Sequence, residues 1–563
     1  MRIPKSAEIE SALEALSAPG QIFETVPCNV DGVEYRAFKN QPASMRQISL
    51  LCLQHGEADF LVLEGERLSF AETYRRAAIV ANALTGRFAI RKGDRVGLAG
   101  RNSMEWVIAA LAILNSGAIL VPYNAWWQAG EMAYGLSDAE PALIFADKRR
   151  LAILEGLAEA EGIRFIALSE DYRGASEASI DDLIADGGPE TMPDVDVAPD
   201  DDVLILYTSG TTGYPKGAVT TNRALVAATM SLAGMAAATK AAMVGPEGEM
   251  PFQPAALVAG PLFHVAAFQI GFLMSMAIGR KVVMVSKWDA EEVLRLVEEE
   301  KITNCGGISA MTLDLIEAAR KSDRDLPTLL DLTMGGAPFP PSSVGEVPEV
   351  FPGARPTCIY GLTETNAMGT VITRDAYLGR PASVGKAMAP LVEIRIADEA
   401  GATLPAAETG EILVKCVANC RAYWKRPEDS AAAFRDGWHL TGDLGYLDEE
   451  GYLFIVDRKK DIIIRGGENI SSVEVEGVIF RHENVVEAAV FGLPDQRLGE
   501  IVAAVVRPQE GAEVDVEELK AFVAENLAYF KVPERVFVTA EPIPKTATLK
   551  FDKATLRQIY AGK

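Results

Sequence analysis

Long basic tracts are absent from this sequence, and its charge leans the other way. Lysine and arginine number 54 against 79 aspartates and glutamates, a formal net charge of −25. Nucleic-acid affinity rests on phosphate contacts, so a chain of this sign is a poor partner for it. Nor does it offer a polybasic membrane anchor. An anionic ligand must therefore be held locally, by a few placed cations and backbone N–H groups. Cysteine is scarce too. The six present (Cys28, Cys52, Cys305, Cys358, Cys416, Cys420) are too few and too scattered for a disulfide scaffold or a zinc knuckle. Only Cys416 and Cys420 are close in sequence, without partner ligands nearby. Such usage makes the cytoplasm the expected location. The opening MRIPKSAEIESALEALSAPG has no apolar core of a secretory signal. One apolar run, AALVAGPLFHVAAFQIGFLMSMAIG (255–279), is long enough to span a bilayer. Pro261, His264 and Gln269 interrupt it and no basic or aromatic frame flanks it. The expectation is a buried segment beside a cavity, with no integral membrane segment.

What is present is a large core. The chain has 563 residues, 49% hydrophobic and 24% charged, which exceeds what one domain usually holds. Helix-period runs at 71–86 and 104–117 alternate with short apolar runs at 118–123, 203–208 and 281–286. The continuous apolar runs suit strands buried on both faces, so the fold class is α/β with mainly parallel sheets. The acidic, Gly/Pro-bearing stretch 181–202 reads as a surface linker between two subdomains. After Asp457 the texture changes. Ser471 and Glu474 have capping-box spacing, so a helix starts there. Strands at 485–492, 500–508 and 534–540 and a helix at 516–530 complete an α+β unit of normal domain size. The division is thus a large N-terminal domain, 1–457, and a small C-terminal one, 458–563.

Residues 207–217 read YTSGTTGYPKG. A strand running into a glycine- and hydroxyl-rich loop with one lysine is a phosphate-binding design: glycines let backbone N–H groups approach oxyanions, and the lysine adds a point charge. It is not the P-loop, because Lys216 is followed by Gly217 and the nearest helix signal begins only near Asn222.

This loop resembles the signature of the adenylate-forming superfamily, in the acyl-CoA synthetase branch. GGAP (335–338), YGLTETN (360–366), the segment 439–470 and PKTATLK (544–550) resemble its other motifs, in order. The resemblance runs from about residue 45 to the end; the first 40-odd residues stand outside it. It implies a large AMP-binding N-terminal domain and a small mobile C-terminal domain. It also implies ATP-dependent activation of a carboxylic acid to an acyl-adenylate, then thioester formation with coenzyme A. The substrate expected is a medium- or long-chain fatty acid. The alternatives are an aryl- or steroid-carboxylate ligase, an adenylation enzyme loading a carrier protein in trans, or a catalytically silent nucleotide-binding protein on the same fold.

By the same resemblance, Thr208, Ser209, Gly210, Thr211, Thr212 and Lys216 cradle the phosphates. Glu364, with Thr208, holds Mg²⁺, a hard ion suited to oxygen donors. Gly336, Ala337 and Pro338 lie along adenine, Tyr360 stacks on it beside Gly361, and Thr363 contacts the α-phosphate region. Asp443 accepts from both ribose hydroxyls and Arg458 assists. Lys550 is the catalytic lysine, Lys460 the hinge, and Gly466 and Gly467 line a pantetheine tunnel, unless they are only a helix-entry turn. Leu549 stands where the family usually has glycine before the lysine. His264 is either a satisfied core residue or, by resemblance, a substrate-site residue beside the carboxylate. The implied partners are small molecules, with no nucleic acid; an oligomer is compatible with the chain.

Overall fold

A computed structural model describes residues 2–158, 163–171, 174–208, 215–307, 309–336, 339–466, 468–509, 511–546 and 550–561. The chain divides into two compact units, one of residues 1–381, 387–393 and 414–439, the other of residues 382–386, 394–413 and 440–563.

In the first unit, one sheet orders Ala422–Tyr423, Gly217–Thr221, Asp202–Tyr207, Ile119–Tyr123, Arg95–Ala99, Leu143–Ala146, Arg164–Ala167 and Ala178–Ser179. From Asp202–Tyr207 to Ala178–Ser179 all neighbours are parallel. Leu120, Val121, Ile144 and Ile205 are fully buried, as strands covered on both faces require. A second sheet runs through Gly369–Thr373, Arg355–Gly361, Asp331–Gly335, Asn304–Gly307, Ala255–Val258, Lys281–Met284, Asp59–Leu63 and Glu66–Ser69. Its strands from Arg355–Gly361 to Asp59–Leu63 are parallel as well.

Helix ends follow local chemistry. The helix Phe70–Thr85 begins where Ser69 accepts from the Glu72 amide, and Met104–Ser116 where Ser103 accepts from that of Trp106. The stretch 181–202 is not a linker between subdomains. Ile180 and Leu183 are buried and seed a short helix, Ile180–Asp186, capped by Ser179. The remainder joins two strands of the same sheet, Ala178–Ser179 and Asp202–Tyr207. The apolar run 255–279 becomes a strand, a turn, a π-helix (Ala267–Leu273) and a short α-helix (Met274–Ile278). One helix elsewhere among the described residues, Asn222–Val244, is long and apolar enough to cross a membrane, with 56% of its most apolar window buried.

The first 40 residues, unassigned from sequence, belong to this unit. Helix Ser6–Leu16 is tied to the second sheet by Ser6, whose amide donates to Asp375 Oδ1 (2.8 Å) and whose hydroxyl donates to the Thr373 carbonyl (2.7 Å). A hairpin, Thr25–Val30 with Val33–Phe38, follows.

The second unit holds an α+β sandwich. Its sheet orders Glu468–Ile470, Ile463–Arg465, Gly499–Pro508 and Val485–Asp495, with Arg535–Val538 on Gly499–Pro508. Alternation explains its layers: Ala488 and Val490 pack on the side of Val475 and Leu519, whereas Ala489 and Phe491 pack on the side of Ile543 and Leu556. Helices Ser472–Ile479 and Val516–Asn526 cover one face and Lys553–Tyr560 the other. The helix expected at 516–530 stops at Asn526, because Leu527 turns extended (φ −133°, ψ 161°) and packs into the core. Ser471 caps as expected by accepting from the Glu474 amide, but the Glu474 carboxylate pairs with Lys531 (2.6 Å) rather than completing a capping box.

Candidate active site

Ligands in α/β proteins bind where parallel strands end. In the second sheet, Ala255–Val258, Asn304–Gly307, Asp331–Gly335 and Arg355–Gly361 run in parallel register, so the segments leaving their C-terminal ends share one edge. Those segments carry His264, Gly336 and the turn Thr363–Thr365. His264 sits in the turn before the π-helix, half-buried, its ring 4.6 Å from that of Phe263, which in turn packs edge-on against Trp126 at 5.2 Å. Tyr360 is the penultimate residue of the strand Arg355–Gly361. Gly361 is required there by close approach, since a Cβ would lie 2.4 Å from the Ala367 carbonyl oxygen.

The glycine-rich loop leaves the C-terminal end of Asp202–Tyr207, which is parallel to Ile119–Tyr123. It returns as an antiparallel strand, with Tyr207 opposite Gly217 and the Thr208 amide donating to the Lys216 carbonyl (2.9 Å). The following helix starts at Asn222, capped by Thr221, which fits the exclusion of a P-loop. Tyr134 supports the loop base by donating to the Pro215 carbonyl at 2.8 Å. Ser209, Gly210, Thr211 and Thr212 lie outside the described residues, as do Ala337, Pro338, Gly467 and Leu549.

Tyr423 joins the two sheets' functional ends. Its strand pairs with Gly217–Thr221, Ala218 facing Tyr423. Its hydroxyl donates to Glu364 Oε1 at 2.8 Å. Burial first, then the Glu364 charge and this hydrogen bond, raise the Tyr423 pKa, so the phenol stays protonated and donating. Lys216 lies 5.3 Å from the Tyr423 ring centroid and pairs with Asp429 at 2.6 Å. The Glu364 carbonyl accepts from the Cys420 amide (2.7 Å). The Cys420 thiol, pushed up to about 12 by burial, contacts Thr220 Oγ1 (3.2 Å). Thr220 also donates to Asn366 (3.2 Å), so the turn bearing Glu364 is held from behind. Among the described residues no three metal-ligating side chains cluster. The Glu364 carboxylate is a hard oxygen donor of the kind that suits Mg²⁺ completed by ligand oxygens.

Asp443, Arg458, Lys460, Gly466 and Lys550 belong to the second unit. Residues 443–447 pair antiparallel with Leu453–Arg458, which sets Asp443 opposite Arg458, and Arg458 Nε lies 3.0 Å from Asp443 Oδ1. Burial holds the Lys460 ammonium below its ordinary value, against the pull of Asp461. Gly466, at φ +60°, turns a hairpin in which Arg465 faces Glu468. The hairpin leads through Glu468–Ile470 to the helix, which is capped at Ser471 as the sequence expects. Lys550 lies on the return limb of a hairpin whose Thr546 amide donates to the Lys550 carbonyl (2.7 Å). Sequence reasoning missed Tyr423, Asp429 and Cys420; the signal available was their place in one short segment, NCRAYWKRPED (419–429), rich in groups that a surface loop does not need.

The lysine that closes the glycine-rich segment, a carboxylate buttressed by a phenol, and the ends of parallel strands thus belong to one unit of the chain. The chain belongs to the AMP-binding enzyme family, which residues 51–424 match, and residues 474–550 match the AMP-binding enzyme C-terminal domain. It is thereby an acid–thiol ligase of the adenylate-forming, acyl-CoA synthetase type. It is 34% identical over 498 residues to a feruloyl-CoA synthase of Amycolatopsis, covering 88% of this chain and 94% of that one. It is 32% identical over 501 residues to the long-chain-fatty-acid–CoA ligase FadD13 of Mycobacterium tuberculosis, with the same coverage, 88% and 94%. Among solved structures, o-succinylbenzoate CoA synthetase (MenE) of Bacillus subtilis in complex with ATP and magnesium superposes with a TM-score of 0.77 at 28% identity, covering 90% of this chain and 99% of that one.

Proposed function

We propose that the protein converts a hydrophobic carboxylic acid, a medium- or long-chain fatty acid, into its coenzyme A thioester in two steps. A carboxylate oxygen attacks the α-phosphorus of ATP and the bond to pyrophosphate breaks, leaving an acyl-adenylate. The coenzyme A sulfur then attacks the acyl carbon, the bond to AMP breaks, and the thiol proton is released. No protein nucleophile is needed, so the side chains position groups and offset charge.

The observation that carries this reading is the Tyr423–Glu364 hydrogen bond beside Lys216 at the mouth of the glycine-rich loop. In it, Lys216, Thr208 and the loop hydroxyls hold the departing pyrophosphate. Glu364, with Thr208, holds Mg²⁺, which when bound offsets polyphosphate charge. Tyr360 and Gly336 flank adenine, Asp443 receives the ribose hydroxyls with Arg458 beside it, and Lys550 neutralises the repulsion between carboxylate and α-phosphate. Lys460 as hinge and Gly466 as part of a pantetheine passage belong to the same reading, as does a functional division after Asp457. His264 belongs to the acyl side in this reading, in the turn that leads into the apolar helical segment Ala267–Ile278. A second reading, an aryl-carboxylate substrate, is favoured by the likeness to the feruloyl-CoA synthase.

The test is pyrophosphate release with ATP and Mg²⁺ over fatty acids of graded length, cinnamate- and benzoate-type acids and steroid acids, with and without coenzyme A. Coenzyme A-dependent turnover rising along the fatty-acid series supports the first reading. A maximum at the cinnamates replaces it with the second. Release indifferent to coenzyme A points to a carrier protein as acceptor.

A further inference from the structure

A single charge, Glu487, interrupts the apolar run VVEAAVFG (485–492). Its residue is only 8% exposed. A buried carboxylate needs partners, since an unpaired one is strongly disfavoured, and Glu487 has three among the described residues. Oε2 accepts from Arg507 Nε (2.8 Å) and the Ile543 amide (3.1 Å). Oε1 accepts from Lys545 Nζ (2.5 Å). Two of the three lie on the limb that leads to Lys550.

That limb is one side of a short hairpin. Lys545 pairs with Phe551, the Asp552 amide donates to the Pro544 carbonyl (2.9 Å), and the Thr546 amide donates to the Lys550 carbonyl (2.7 Å). The Lys545 ammonium also sits 5.4 Å from the Phe551 ring centroid, across the hairpin. The return limb is anchored separately. Asp552 caps the helix Lys553–Tyr560, and Lys553 reaches Glu476 (2.8 Å) and Ser472 Oγ (2.6 Å). The backbone of Lys550 is therefore located by two clamps, one at the helix and one at Glu487. Only the second holds the limb that hydrogen-bonds to Lys550 directly.

We propose that Glu487 is a positioning residue for adenylation, clamping residues 543–545 so that the hairpin presents Lys550 in one place. The inference rests on the reading of Lys550 as the adenylation lysine. Because the clamp is remote from thioester formation as that reading has it, its loss separates the two half-reactions. A uniform structural role would not.

The experiment compares Glu487→Gln and Lys550→Ala with the full-length protein, using the best acid of the panel. Adenylate formation is read as pyrophosphate release, thioester formation from supplied acyl-adenylate, and hairpin order as hydrogen exchange of the Thr546 and Asp552 amides. Expected for Glu487→Gln is a loss of about 10- to 100-fold in adenylate formation, thioester formation within about 2-fold of wild type, and faster exchange at those two amides with the Val485–Asp495 amides unchanged. Lys545→Arg, which keeps the ion pair, restores most of the activity that Lys545→Gln loses. Equal loss in both half-reactions, or unchanged adenylation while Lys550→Ala is impaired, overturns the proposal. If Lys550→Ala keeps adenylation, the reading of Lys550 falls instead. Unchanged exchange in Glu487→Gln overturns the clamp whatever the kinetics. Should Glu487→Gln fail to fold, Lys545→Gln, which leaves Glu487 on Arg507 and Ile543, carries the same measurements.

Discussion

The hydroxyl of Tyr423 donates to Glu364 Oε1 at 2.8 Å across 59 residues of sequence, and it does so from a strand paired with the strand that follows the glycine-rich loop. One phenol thus fixes the carboxylate proposed to hold the metal and the backbone beside the glycine-rich loop. A hydrogen bond to a charged acceptor contributes about 1.5–3 kcal/mol. Tyr423→Phe is therefore expected to lower kcat/KM for MgATP by roughly 10- to 100-fold, with a raised requirement for Mg²⁺. A steady-state magnesium titration checks it; a change under 2-fold at all magnesium levels would contradict the role.

Lys216 does not wait free. Its ammonium is paired with Asp429 at 2.6 Å, with both side chains partly open to solvent. For Lys216 to meet a polyphosphate, that pair must loosen. Exposed pairs of this kind contribute about 0.2–1 kcal/mol, so Asp429→Asn is expected to lower the KM for ATP by roughly 2- to 5-fold at unchanged kcat. Initial rates over an ATP series measure it. An unchanged or raised KM means that Asp429 does not compete for the lysine.

Away from the site, Glu72 receives Arg75 and Arg76 on one helix face. The hydrogen bond from Arg75, opposed by partial burial and aided by Arg76, takes its carboxyl down to about 2. A folded-state pKa below the unfolded value gives stability that is complete above the unfolded value, about 4.5, and is lost as pH falls toward 2. Glu72→Gln is expected to melt below wild type at pH 7, with the gap in Tm narrowing as pH drops below about 4.5. A gap constant with pH assigns the effect to packing.

Much of this was legible in the sequence because the information was local. The strand–loop–lysine run 203–217, the turn 360–366 and the Ser471 cap each depend on neighbours a few residues apart. The alternating faces of 485–495 follow from strand periodicity. What escaped was decided by distant partners: Tyr423 with Glu364, Lys216 with Asp429 across 213 residues, and Glu487 with Lys545 across 58. The stretch 181–202 misled for a related reason. Its composition is that of a linker, but burial of Ile180 and Leu183 in a helix that packs beside Phe70–Thr85 turned its start into ordered structure. The N-terminal helix gave no family signal, because its anchors, Thr373 and Asp375, lie about as far along the chain as the motifs themselves.

The central claim is that carboxylate activation passes through an adenylate that Lys550 promotes and that coenzyme A then consumes. Mass spectrometry of single turnovers with ATP, Mg²⁺ and the preferred acid tests it most directly. The account predicts acyl-AMP accumulating on the wild-type protein without coenzyme A, vanishing into acyl-CoA and AMP when coenzyme A is added, and failing to form on Lys550→Ala. Acyl-CoA appearing with no acyl-AMP intermediate, or acyl-AMP forming equally fast on Lys550→Ala, would contradict it.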